Sequence, residues 1–198
     1  MPKLIDRDAR RAEIAEAVWR IVLRDGVSAV SIRDVAAEAG ISAGSLRHVF
    51  ATKQDLLASS MRLIAQRVDA RVRAHLTDPD PLGRAEAVLA EVLPFDDERR
   101  VEMHVNLALV TEAVAYPELA TAALEAHDGL RELCRAVVES LARHGLVAPG
   151  VDPATEAMHL HALIDGLAVH LLLGRNDSPT AVRRLVHDHL VGLSRPQG

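Results

Sequence analysis

The chain has 198 residues, 49% of them hydrophobic, and a formal net charge of −5, enough to bury a core in one large domain or in a small and a larger one. Only four side chains are aromatic (Trp19, Phe50, Phe95 and Tyr116), which favours aliphatic helix packing, and the single cysteine, Cys134, excludes an internal disulfide and fits a reducing cytoplasm. The start MPKLIDRDARR lacks the apolar stretch of a secretory signal, and the longest apolar runs, interrupted by His170, fall short of the ~20 residues of a membrane span.

Ile14, Val18, Ile21 and Val22 recur at helical spacing and predict a first helix over about 8–24, ended by Asp25-Gly26. Ser31-Ile32-Arg33-Asp34 has the form of a capping box and opens a second helix to about Ala39, where Gly40 stops it. Ser42 caps a third helix through about Phe50. Thr52-Lys53-Gln54-Asp55 repeats the capping-box pattern and starts a long fourth helix to about Leu76. TDPDP (77–81) breaks the chain. Helices then follow over about 82–93, ended by Pro94, over 97–115, ended by Tyr116-Pro117, and on to Gly145. Asp152 as N-cap with Pro153 at N1 opens a helix over 153–173. After the loop GRNDSP, Ser178 and Pro179 open the last helix, to about Leu193. No alternating strand pattern or internal repeat stands out. The fold class is all-α with about nine helices.

Charge is unevenly spread. Residues 1–53 carry a net of +2 and the remainder −7, so an acidic body has a modestly basic end. Within that end, a helix, a turn at Gly40 and a short helix form a helix-turn-helix layout. A helix with its side chains is about as wide as the ~12 Å major groove. Small residues at Ser42, Ala43, Gly44 and Ser45 let such a helix approach base edges. Arg47 and His48 point outward as donors, and Ile32, Val35, Ala36, Ile41, Leu46 and Phe50 pack the unit. Lys53 and the N–H groups after Thr52 hold the DNA backbone. The expected DNA-contacting set is Ser31, Arg33, Ser42, Ala43, Gly44, Ser45, Arg47, His48, Thr52 and Lys53.

The stretch VSAVSIRDVAAEAGISAGSLRHVFATKQDLL (27–57) resembles the DNA-binding segment of the TetR family of bacterial transcriptional regulators. The segments MHVNLALVTEAVAYPELA and DPATEAMHLHALIDGLAVHLLL are similar to the BetI-like C-terminal subgroup. The chain departs from the family at Arg47, where tyrosine is usual. The resemblance implies a DNA-binding domain of three helices over 1–52 and a larger helical effector-binding and dimerisation domain over 53–198. It implies a cytoplasmic homodimer joined through the last two helices, which represses from a near-palindromic operator until a small molecule releases it. The dimer face is expected along Leu160, Leu163, Ile164, Leu167 and Leu171, and along Val182, Leu185, Val186 and Leu190. A helical protein-interaction module without DNA binding, or a small cofactor-free enzyme using the C-terminal cavity, remains as an alternative.

Other constellations point to less. The ten histidines lack metal-ligand spacing, since His159 and His161, like His187 and His189, are two apart and face opposite ways on a helix. No metal, cofactor or catalytic residue is expected. An effector pocket is expected from Met103, His104, Leu107, Thr111, Cys134, His161 and Asp165, with His104 and His161 as polar anchors. The scarcity of aromatic side chains suits an aliphatic or modestly polar metabolite rather than a flat polyaromatic compound.

Overall fold

A computed structural model describes residues 2–174 and 178–194, with side chains from residue 9 onward. The described residues form nine α-helices and two short 3₁₀ helices, and no strand: α1 Pro2–Asp25, η1 Val27–Ala29, α2 Ile32–Glu38, α3 Ala43–Val49, α4 Lys53–His75, α5 Pro81–Ala90, α6 Asp97–Glu112, η2 Ala113–Ala115, α7 Pro117–Arg143, α8 Pro153–Leu173 and α9 Pro179–Gly192. Part of the loop expected at GRNDSP, residues 175–177, lies outside the described residues.

Local chemistry sets most of the helix starts. Asp80, Asp152 and Ser178 are N-caps whose side chains accept backbone N–H groups of α5, α8 and α9, and each is followed at once by a proline. The cap satisfies N–H groups that the first turn leaves without partners. Proline loses nothing there, because its missing N–H falls where no helical bond would form. Such a cap is worth about 1 kcal/mol. At its far end α7 closes with a Schellman pair: Gly145 N–H donates to Ala142 O at 3.0 Å and Leu146 N–H to Leu141 O at 3.0 Å.

The chain forms two compact units. One comprises Met1–Arg67 and Val101–Ala126, and its buried residues include Ile14, Val18, Ile21, Val35, Leu46, Leu57, Met61, Leu109 and Leu119. In it α1 packs on η1 and α2, and α2 packs on α3. The other comprises Val68–Arg100 and His127–Gly198, with Leu89, Leu93, Val138, Leu141, Leu160, Ile164, Val182 and Leu190 among its buried residues, and α5 packed on α9. The boundary falls inside α4, α6 and α7.

Two expectations about the last helices change. Of the nine residues expected to face a partner subunit, seven (Leu160, Ile164, Leu167, Leu171, Val182, Val186 and Leu190) are already buried within the one chain, and Leu163 is half-buried. The cause is that α8 is apolar around most of its circumference, so the stripe read as a dimer face is the side that packs on its own neighbours. α8 is also long and apolar enough to cross a membrane by length and composition, although no single apolar run reaches that length. Its buried side carries Glu156 and His161 beside the aliphatic residues. Its exposed side presents Met158, Ala162, Gly166, Val169 and Leu173 at roughly one-turn intervals.

Candidate nucleic-acid interface

The short helix α3 is held chiefly by one side chain. Leu46 is fully buried, Phe50 follows at the C-cap and is also buried, and Val35 and Ala36 of α2 complete the contact layer, with Ile32 and Ile41 half-buried at its margin. Truncating a leucine so placed costs about 2–5 kcal/mol. The turn before α3 is a second Schellman pair. Gly40 has φ +67°, its N–H donates to Ala37 O at 3.1 Å, and Ile41 N–H donates to Ala36 O at 2.9 Å. A side chain at Gly40 would strain this backbone, so glycine fixes the angle at which α2 gives way to α3.

Ser42 caps α3. Its Oγ accepts the Ser45 N–H at 3.0 Å, and the two hydroxyls share a further hydrogen bond at 2.9 Å. The helix then turns Gly44, Ser45, Arg47 and His48 to solvent with Ser42, while Ala43 is half-buried. Gly44 is not demanded by the fold: its φ is ordinary, and an added Cβ would meet only Ser42 Oγ at 3.8 Å, an ordinary contact. A glycine inside a helix costs about 1 kcal/mol relative to alanine.

The neighbouring helices are fixed by polar contacts. Glu38 at the end of α2 accepts from Arg20 Nε at 2.7 Å and Arg24 Nη1 at 3.2 Å on α1. The hydrogen bonds from Arg20 and then Arg24 hold the Glu38 carboxyl below the usual carboxylate range. At the start of α2, Asp34 N–H donates to Ser31 Oγ and the Ser31 hydroxyl donates back to the Asp34 carboxylate, with Arg33 exposed beside them. At the start of α4, Thr52 N–H donates to Asp55 Oδ2 at 3.0 Å and Asp55 N–H to Thr52 Oγ1 at 3.1 Å, a reciprocal capping box.

Lys53 is tied to a distant stretch of the chain's own backbone. It is half-buried, and its ammonium donates to the Val27 carbonyl at 2.8 Å and to the Ser28 carbonyl at 3.3 Å, both on η1. Sequence reasoning missed η1, which is too short to show a period, and with it the partner of Lys53. It also missed an open groove of about 1000 Å³ in the same unit, bordered by Arg11, Phe50, Asp55, Arg62, Leu63 and Glu118. No local pattern marks this groove, because its lining comes from distant parts of the chain.

The residues expected to bind an effector fall into two groups. Met103, His104, Leu107 and Thr111 lie on the part of α6 in the first unit, where the Thr111 hydroxyl donates to its own helix at Ala108 O, 2.7 Å away. Cys134, His161 and Asp165 belong to the second unit. His161 is buried, with Nε2 3.4 Å from Asp165 Oδ2 and the His127 ring against its own. Burial holds the His161 imidazole below its ordinary value of 6.5; Asp165 opposes that, and His127 and Arg131 add to it. Burial, with the Asp165 charge second, pushes the Cys134 thiol up to about 12.

Two family models match the chain. One for bacterial regulatory proteins of the tetR family covers residues 14–60, and one for the C-terminal part of BetI-type transcriptional repressors covers residues 81–195. The chain is 35% identical over 192 residues to the HTH-type transcriptional regulator PksA of Bacillus subtilis (strain 168), covering 96% of this chain and 92% of that one. It is 31% identical over 203 residues to the HTH-type transcriptional regulator BetI of Burkholderia thailandensis, covering all of both. Among solved structures, a transcriptional regulator from Pseudomonas aeruginosa PAO1 superposes with a TM-score of 0.83 at 25% identity, over 95% of this chain and 91% of that one. A transcriptional regulator from Saccharomonospora viridis in complex with choline superposes with a TM-score of 0.79 at 29% identity, over 92% and 95%. With its capped, small-faced α3 standing on a buried Leu46, the chain belongs to the TetR family of DNA-binding transcriptional regulators, with a C-terminal portion of the BetI type.

Proposed function

We propose that the chain is a homodimeric repressor that works in the cytoplasm, grips a near-palindromic operator through α3, and lets go when a small molecule binds. In this reading residues 1–52 form the DNA-binding domain and residues 53–198 the effector-binding and dimerising domain. The observation that carries it is the two-sided character of α3. Leu46 and Phe50 lock one side, and Gly44, Ser45, Arg47 and His48 are exposed on the other, on a helix of the width a major groove admits. Selection of bound duplexes from a random pool, followed by footprinting, tests it. Two related half-sites about 10 base pairs apart, centre to centre, are expected. Recovery of no sequence above background at low salt would end the reading.

Dimerisation is assigned to the exposed face of α8, with Met158, Ala162, Gly166, Val169 and Leu173, and to Leu185 of α9. Gly166 lies mid-helix with nothing within 4 Å of an added Cβ, so the fold of one chain does not account for it. A second helix passing close to that backbone does. Exposed apolar residues in register along a helix mark a contact surface more than scattered ones do.

The effector is read as an aliphatic or modestly polar metabolite. Choline, the ligand of the Saccharomonospora neighbour, is less suited to this chain. A quaternary ammonium is recognised by free aromatic faces. Here Arg67 lies over the Trp19 ring at 4.9 Å, Arg183 lies over the Phe95 ring at 4.1 Å, and Phe50 is buried under α3. Tyr116 alone remains of the four aromatic residues. Titration of choline against the DNA complex, with release read by fluorescence anisotropy, should leave the complex intact.

A further inference from the structure

Arg67 lies about 21 Å along α4 from the first residue of that helix, at 1.5 Å per residue. Its guanidinium grips α1 at two positions about one turn apart. It pairs with the Glu16 carboxylate, and it lies over the ring of Trp19, 4.9 Å from the centroid. Trp19 is buried and Arg67 is half-buried. A surface ion pair alone is worth little. A planar guanidinium that meets a carboxylate at its edge and an indole at its face is fixed in direction as well as in distance. The backbones of α1 and α4 approach each other less closely than those of α1 and α2, and a long side chain bridges them here. η1 and α2 pack on α1, α3 packs on α2, and α3 leads into α4 through Phe50, Ala51 and Thr52. The angle between α1 and α4 therefore sets the stance of α3. A contact far from the junction of α3 and α4 controls that angle with the least tolerance.

We propose that Arg67 is a positioning residue for operator recognition: by holding Glu16 and Trp19 it fixes the angle of α1 against α4, and so where α3 meets the groove. Base reading depends on that stance, whereas binding to any duplex rests chiefly on charge. Loss of the grip therefore falls on the selected sequence. The proposal rests on the operator-binding reading above.

The test uses the full-length protein, a duplex recovered by selection and a random duplex of equal length. Affinities over a salt series, thermal melting and acrylamide quenching of Trp19, the single tryptophan, are compared for wild type, Arg67→Lys and Arg67→Met. Arg67→Met keeps an unbranched apolar stem and removes both contacts. It should lower the operator-to-random affinity ratio about tenfold, the size of a cation–π contact with a charge-assisted hydrogen bond, and raise the quenching of Trp19. The salt slope should stay at the wild-type value. Arg67→Lys keeps the charge without the planar fork and should fall between the two. A purely structural residue would lower the melting temperature and leave the ratio untouched. A phosphate contact would give equal losses on both duplexes and a slope reduced by about 0.9 per protomer. Either result overturns the proposal. Were Arg67→Met not to fold, Glu16→Gln, which leaves the stack on Trp19 in place, carries the same comparison. Failure of the wild type to select any sequence would instead strike the operator reading itself.

Discussion

The ring of His127 on α7 lies 4.7 Å from the ring of His161 on α8, tilted by 42°, and His161 Nε2 lies 3.4 Å from Asp165 Oδ2, one turn further along α8. His161 is buried, which disfavours its charged form more than the nearby Asp165 carboxylate favours it, and the His127 ring adds to the burial effect. The folded state therefore binds a proton at His161 less readily than the unfolded chain does. Its contribution to stability is fully present above the unfolded value of 6.5 and is lost as the pH falls through the lower folded value. Chemical denaturation between pH 7.5 and 5 should show stability declining with acidity. His161→Gln should flatten that decline, and an unchanged slope in the variant would remove His161 as its source.

Gly44→Ala separates folding from binding. The φ is ordinary and the space beside Cβ is open, so the free protein should gain stability from helix propensity, by less than the ~1 kcal/mol of a helix interior because Gly44 lies in the first turn of α3. The same methyl group projects from the outward face of α3, and operator affinity should fall at least tenfold. A variant that is stabilised and binds as well as wild type would show that DNA does not approach this part of α3.

Arg47 lies five residues beyond the Ser42 cap and is exposed. Its planar fork suits O6 and N7 of a guanine, so Arg47→Ala should cost roughly 1–3 kcal/mol on the operator and relax preference at one base pair in each half-site. Repeating the selection with the variant measures this. Uniform weakening with unchanged preferences would make Arg47 a backbone clamp, and base reading would pass to Ser42, Ala43, Ser45 and His48.

Cys134 should be silent. Fully buried, with its thiol pushed up to about 12, it is present as thiolate in only about one molecule in ten thousand at pH 8. A colorimetric disulfide reagent should label it only after denaturant unfolds the protein. Fast labelling of the native chain would contradict the burial of Cys134.

The two faces of α8 predict opposite phenotypes. Val169→Glu, on the exposed side, should leave the fold intact and yield monomers in sedimentation at micromolar concentration, where wild type is expected to sediment as a dimer. Leu160→Ala, on the buried side, should cost about 2–5 kcal/mol of stability without changing the oligomeric state of the folded fraction.

What the sequence made legible follows from the range of the interactions concerned. α8 was readable from Pro153 to Leu173 because Asp152-Pro153 is a local signal and Gly174 ends the helix in a left-handed conformation. The helix read over 82–93 stops at Ala90, because Glu91, Val92 and Leu93 bond back three residues in a turn that apolar spacing cannot distinguish from a helix. The outward face of α3 was readable because its residues adjoin one another. The carbonyl partners of Lys53 were hidden because backbone carbonyls leave no mark in sequence. The buried stripe of α8 was misassigned because composition shows that a helix is apolar without showing which neighbour covers it.

The paired starts Asp80-Pro81 and Asp152-Pro153 also bear on which changes the chain tolerates. Each pair sets the rotational phase of its helix from within, by hydrogen bonds to the next two or three residues. Extra residues inserted before the pair would lengthen the connection at a cost that grows only with the logarithm of loop length, about 0.6 kcal/mol per doubling. The helix beyond would still begin at the same atom and turn the same residues inward. Length variation is thus expected just upstream of Asp80 and Asp152, whereas an insertion that separates aspartate from proline would rotate every downstream side chain of that helix by about 100° per residue.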